Sequence, residues 1–151
     1  MTTNTLKISE MQQSALANGD NLAGIRAGEN YQLTENNESG YTPMPLQVVT
    51  ALTFQMASNN GYVANNVSPI QFTLPLTFAV GDEIAVSNVN GGFTILQNAG
   101  QNIIFGNKLT GVGVVGHISS TAVGDQILLK GIVANTTLQV WGAPQGNLTY
   151  V

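Results

Sequence analysis

Charge is scarce in this sequence: four Lys and Arg stand against eight Asp and Glu in 151 residues, a formal net charge of -4. So few cations cannot neutralise a row of phosphates or hold an anionic lipid surface, and nucleic-acid and membrane-surface binding lose their electrostatic driving force. Cysteine is absent, which removes disulfides, thiolate metal sites and thiol catalysis and leaves the fold to packing and hydrogen bonds. A single histidine, His117, rules out a histidine-based metal cluster. No window reaches the ~18 uninterrupted apolar residues of a membrane span, so no membrane insertion is expected. The stretch from Met1 to Glu10 is polar and Thr-rich, without an apolar core of signal-peptide length. Export by the usual routes is therefore not expected. Assembly inside a cell and release by lysis, as for virion components, is one explanation of such a composition.

What the chain does contain is β-type sequence. Between Gly40 and Val151 only Asp82, Glu83, Lys108, Asp125 and Lys130 are charged, among alternating Val, Ile, Leu and Phe with Thr, Ser, Asn, Gln and Gly. A solitary domain covers its surface with about a quarter Lys, Arg, Glu and Asp. A stretch this neutral is suited to burial against copies of itself, which favours a structural or adhesive assembly over a free enzyme.

The remaining charges (Lys7, Glu10, Asp20, Arg26, Glu29, Glu35, Glu38) all lie before Gly40, so composition shifts there and predicts an N-terminal arm and linker over 1–40 and a β-domain over 41–151. Within the arm, Ser9 as N-cap predicts a short helix over Ile8 to Leu16, stopped by Asn18-Gly19. Asn21 to Gly28 reads as a short strand or an extended arm. Thr42-Pro43-Met44-Pro45 completes the linker, since proline disfavours helix before it and supplies no ladder donor.

In the β-domain, apolar runs bounded by turn residues predict strands at Leu46–Phe54, Gly61–Ala64, Ile70–Leu74, Glu83–Ser87, Phe93–Gln97, Ile103–Phe105, Gln126–Val133, Thr137–Trp141 and Asn147–Tyr150. Asn90-Gly91-Gly92 between two of them is a hairpin signal. The tetrad Ala79-Val80-Gly81-Asp82 returns as Ala122-Val123-Gly124-Asp125, 43 residues on; each leads into an apolar strand and reads as a similar turn rather than a duplication. The expected class is all-β, an antiparallel sandwich or jelly-roll-like C-terminal domain with an extended N-terminal arm.

Motifs that suggest chemistry fare poorly. Gly111-Val112-Gly113-Val114-Val115-Gly116 spells G-x-G-x-x-G, but β-type residues follow where a phosphate-binding helix would begin, and Thr136 stands where a ribose-binding carboxylate would. Ser119, His117 and Asp125 make a nominal triad without a nucleophile elbow. Asp82-Glu83 and Asp125 would serve a glycosidase only if a cleft set two carboxylates about 5 to 10 Å apart. No catalytic residue, metal or cofactor is assigned. Asn37, Asn135 and Asn147 fit the glycosylation pattern, but without a secretory signal they read as chance matches in an Asn-rich and Thr-rich chain. Trp141 and Tyr62, among Asn and Gln, are the candidate sugar-stacking or receptor-binding aromatics, with core packing as the competing reading for a lone Trp.

Two stretches carry a resemblance. Ile8-Ser9-Glu10-Met11, Ala15-Leu16-Ala17-Asn18-Gly19-Asp20-Asn21-Leu22, then Ile25 and Gly28, resemble the opening segment of many bacteriophage tail-fibre proteins. Gly61-Tyr62-Val63-Ala64-Asn65-Asn66, Phe72-Thr73-Leu74-Pro75, Ala79 to Asp82, Gly91-Gly92-Phe93, Gln97 to Gln101, Phe105-Gly106, Val133 to Thr137 and Gly146-Asn147 are similar to a β-domain of phage fibres and prophage-like proteins. The arm departs from the pattern at Arg26, and Phe93 and Leu138 stand where the resemblance expects Trp. The resemblance implies a homotrimeric virion protein whose arm (Ile8, Leu16, Leu22, Ile25) docks on other virion proteins while the β-domain faces out, with a host-surface glycan as a possible ligand. A short tail or collar fibre in host attachment, or anchoring a receptor-binding protein, is the leading expectation. A capsid decoration protein, a carbohydrate-binding module and a glycan hydrolase are the alternatives.

Overall fold

The computed structural model describes residues 43–151 and, before them, the backbone of two short antiparallel strands, β1 (Gly24–Arg26) and β2 (Glu29–Tyr31). The chain divides into two units, Met1–Pro43 and Met44–Val151. Ile25 lies on β1, opposite Asn30; Ile8, Leu16, Leu22 and the predicted Ile8–Leu16 helix fall outside the described residues.

The second unit is all β. Its strands are β3 (Leu46–Val49), β4 (Thr53–Gln55), β5 (Asn60–Asn65), β6 (Ile70–Thr73), β7 (Glu83–Asn90) and β8 (Phe93–Leu96). They continue as β9 (Asn102–Phe105), β10 (Lys108–Leu109), β11 (His117–Ser120), β12 (Gln126–Val133), β13 (Thr137–Val140) and β14 (Leu148–Tyr150), with one 3-10 turn at Gly113–Val115. Seven strands form one sheet in the order β10-β9-β13-β12-β7-β5-β3, and five form another in the order β14-β11-β8-β6-β4. Alternation fixes the inner faces: Tyr62, Ile84, Val86, Ile127 and Leu129 of the larger sheet meet Phe72, Phe93, Ile95 and Ile118 of the smaller in one core. Each such side chain removed from water is worth about 1.5–3 kcal/mol. Phe54, Tyr62 and Phe72 form an aromatic cluster across it, with centroids 5.4 to 6.2 Å apart.

The sheets are mixed, which corrects the expectation of an antiparallel sandwich. β3, β5 and β7 run parallel in one sheet, and β4, β6 and β8 run parallel in the other. The reason lies in the connections: from β3 to β8 each strand of the large sheet is followed by one in the small sheet, so this part of the chain winds around the core and successive strands of a sheet point the same way. Asn90-Gly91-Gly92 is consequently a corner between sheets and not a hairpin. Gly91 takes φ +63°, and a β-carbon there would collide with the Asn66 carbonyl of the preceding corner, so the glycine is needed for both conformation and close approach. Adjacent corners are tied together: Asn66 Nδ2 donates to Thr50 O at 2.7 Å, and Ile70 N to Gly92 O at 3.0 Å. The predicted single strand Leu46–Phe54 is split at the first of these corners.

β7 and β12 pair antiparallel, Glu83 opposite Lys130 and Gln126 opposite Ser87, and the two repeated tetrads precede them. Both turns have the same geometry. Ala79 N donates to Asp82 Oδ2 and Ala122 N to Asp125 Oδ2, each at 2.9 Å. Gly81 N reaches Gly131 O on β12, as Gly124 N reaches Asn88 O on β7. The repeat is thus expressed as a local twofold relation across one strand pair.

Candidate interaction surface

The nominal catalytic residues are dispersed. Asp82 accepts from Ala79 N and Asn59 Nδ2, both at 2.9 Å, and these bonds hold its carboxyl below the ordinary carboxylate value. Asp125 is 1% exposed. Burial pushes its carboxyl up, but bonds from the backbone N–H groups of Ala122, Asn147 and Thr121 and from the Ser120 hydroxyl outweigh that and hold it low. Gly131 N donates to Asp82 O, and Asp125 lies six residues back along β12, so the two carboxylates are about 20 Å apart at ~3.3 Å per residue. That is too far for a glycosidase pair. Ser119 shares a hydrogen bond with Thr94 at 3.0 Å, and His117 Nδ1 lies 3.2 Å from Val115 O; neither touches Asp125, so the triad is not assembled. Among the described residues there is no group of three His, Asp or Glu placed to hold a metal, and no helix is long and apolar enough to cross a membrane.

The glycine-rich run leads into a 3-10 turn and then β11, with no helix to receive a phosphate. Its glycines serve packing. A β-carbon on Gly116 would collide with Gln97 Nε2 and Gly111 O. The loop is pinned by a buried amide network that the sequence did not advertise: Gln97 Nε2 donates to Gly111 O at 3.0 Å, Thr110 Oγ1 to Gln97 Oε1 at 2.8 Å, and Gln101 Nε2 to Pro75 O at 2.8 Å. The glutamines of Gln97 to Gln101 are therefore internal struts. Asn135 likewise sits in the β12–β13 turn, its Oδ1 accepting from Phe78 N at 2.8 Å, and Asn147 N caps Asp125; Asn37 lies outside the described residues. A cleft of about 730 Å³ opens between Gln55–Ser58, Pro75–Ala79 and Ala134–Asn135. Of the polar groups of its wall, Asp82 and Asn135 are engaged in the bonds just given, and Gln55 Nε2 donates to Leu74 O at 2.7 Å.

The two aromatic candidates separate. Tyr62 is 2% exposed and packs against Phe54 and Phe72, its hydroxyl accepting from Ala57 N at 2.8 Å and donating to Ala57 O at 3.2 Å. Facing inward on β5, it is a core residue and not a receptor contact. Trp141 is 51% exposed, with Lys130 Nζ 5.0 Å from its ring centroid and Lys130 paired to Glu83 at 3.0 Å. Core packing, the competing reading for this Trp, does not hold.

Trp141 ends a larger feature. On the outer face of the seven-stranded sheet, cross-strand partners line up as Leu46, Gly61, Ala85 and Leu128, and Trp141 N donates to Leu128 O at 2.8 Å. Leu46 folds over Gly61, within 2.8 Å of where a β-carbon would stand. The next row holds Val48, Val63, Ser87 and Gln126; the row on the other side holds Glu83, Lys130, Gln139, Ile104 and Leu109. Leu46 and Val48 are 69% and 60% exposed. The outer face of the five-stranded sheet has the opposite character. Its central row reads Thr53, Gln71, Thr94, Ser119, Thr149, and the next reads Gln55, Thr73, Leu96, His117. No protein-family profile matches the chain, and no curated protein matches it significantly.

Proposed function

We propose that this chain is a structural virion protein of a bacteriophage: a short, trimeric tail or collar fibre that attaches to other virion proteins through residues 1–40 and presents the β-domain outward. It takes part in host attachment or anchors a receptor-binding protein, and is released with the particle on lysis. The observation that carries the assembly is the exterior of the β-domain, where sixteen large hydrophobic side chains are exposed on a surface almost without charge. Soluble monomers rarely expose apolar patches beyond a few hundred Å². The resemblance of residues 8–28 and 61–147 to phage fibres supports the virion setting. The reading assigns no catalysis and no cofactor. Imaging intact particles with a label on this chain tests it: density on the tail or collar supports it, density spread over the capsid makes the chain a decoration protein, and no labelled particles overturns it.

A second reading, a carbohydrate-binding module, is favoured by the exposed Trp141, since a rigid aromatic face beside polar groups suits neutral saccharides. It predicts affinity for a host-surface glycan that Trp141→Ala abolishes.

A further inference from the structure

We propose that the outer face of the seven-stranded sheet is the surface on which copies of this chain associate, leaving the five-stranded sheet to face water; this rests on the oligomeric reading above and names its interface. A sheet with one solvated face alternates apolar-in and polar-out, whereas one covered on both sides reads as near-continuous apolar sequence. The two sheets of this molecule realise the two cases side by side. Around the same core, the smaller sheet's central row turns out Thr53, Gln71, Thr94, Ser119 and Thr149, and the larger sheet's turns out Leu46, Gly61, Ala85 and Leu128, flanked by Val48, Val63 and Ile104 together with Ser87, Gln126 and Gln139.

A second copy is the occupant for two reasons. The outward rows of the large sheet hold two charges, Glu83 and Lys130, already joined at 3.0 Å, so copies of an acidic chain meet there on neutral ground. The same neutrality offers nothing to a nucleic acid or an anionic membrane, since the face's cation is spoken for. Size agrees as well. Seven strands at ~4.8 Å spacing and ~18 Å mean length give roughly 600 Å² per copy before corrugation, about three quarters of the ~800 Å² per partner of a standard interface.

The absence of cysteine makes the test direct. Ala85→Cys places a thiol at the centre of the large outer face and Thr94→Cys one at the centre of the small; both residues are half-buried in the single chain. The rate of maleimide labelling is measured on each folded protein and again in denaturant, with the mass taken on the same samples. In an oligomer, the Ala85→Cys thiol is expected to react about tenfold more slowly than the Thr94→Cys thiol, because labelling requires transient opening of the interface. A folded Ala85→Cys protein that loses its assembly, where Thr94→Cys keeps it, supports the face equally. Equal rates in an oligomer overturn this face while the oligomeric reading stands; equal rates in a monomer overturn both. Protection of Ala85→Cys in a monomer overturns the proposal in favour of cover from within the same chain.

Discussion

On β8 the buried Ile95 follows an outward Thr94, and on β12 the buried Leu129 follows an outward Leu128. Both strands supply the same core with the same kind of side chain. They differ on the side that the core does not see: threonine, glutamine and serine predominate outside the five strands, with Leu96 the exception in its row, whereas leucine, valine, isoleucine and alanine share the outside of the seven with Ser87, Gln126, Gln139 and the Glu83–Lys130 pair. Interior packing therefore cannot be the cause. The proposed association of copies, covering one side of the sandwich, would account for the asymmetry. On that proposal a domain with so few charged groups is tolerated because only part of its surface has to face water.

Leu129→Ala should have the largest effect on the fold, at about 2–5 kcal/mol, because Leu129 is fully buried where the sheets meet. Denaturant unfolding measures it. Leu128→Glu, one residue away, should leave the secondary structure intact and dissociate the assembly, whereas Thr94→Glu should keep both the fold and the assembly, losing about 1 kcal/mol with the Thr94–Ser119 hydrogen bond. Sedimentation of the two variants side by side sharpens the comparison. If Thr94→Glu dissociates the protein and Leu128→Glu does not, the faces have been assigned the wrong way round.

The paired turns give the next effect. Asp125→Ala leaves the N–H groups of Thr121, Ala122 and Asn147 and the Ser120 hydroxyl without their acceptor, at a cost of about 2–3 kcal/mol. Asp82→Ala, in the more open turn, should cost about 1 kcal/mol. Both carboxyls are lowered in the folded chain, so the unfolded state binds the proton more readily. The stability they contribute is complete above the unfolded value of ~3.9 and is lost as pH falls through the lower folded values. Thermal midpoints should therefore be flat from pH 7 to 5 and drop towards pH 2, with a shallower drop in Asp125→Asn. An equal drop in that variant would show that other groups drive the acid transition.

Least should follow from removing the ion pair. Glu83→Gln with Lys130→Met should change stability by no more than about 1 kcal/mol, and raising salt should not dissociate the assembly. Dissociation by salt would mean that charge, and not the apolar rows, holds the copies together.

Much of the β-domain was legible in the sequence. Gln126–Val133 is β12 to the residue, and Ile70, Glu83 and Phe93 each open a strand where the apolar run begins. The failures were non-local. Asn90-Gly91-Gly92 carries the positive-φ chemistry of a hairpin, but whether a chain leaving such a turn pairs with the strand it came from or crosses to another sheet is decided by the core. β11 went unread because His117-Ile118-Ser119-Ser120 holds one apolar residue after a glycine-rich run. For Trp141, core packing competed with exposure because the sequence does not say which face follows Val140. The outer face of the large sheet was hidden for a related reason: one of its rows joins Leu46 to Leu128, 82 positions apart in sequence, so it exists only once register is known. A trace of it was present in Gln126-Ile127-Leu128-Leu129-Lys130-Gly131-Ile132-Val133, where apolar residues fall on both faces of the strand. Strict alternation would have put polar groups on one of them.

The mass of the unmodified 151-residue chain in solution at micromolar concentration tests the central claim most directly. Light scattering should give three times the 15.8 kDa of one chain, without dissociation on dilution through that range; a stable folded monomer would contradict the reading of the large sheet's outer face and of the assembly built on it.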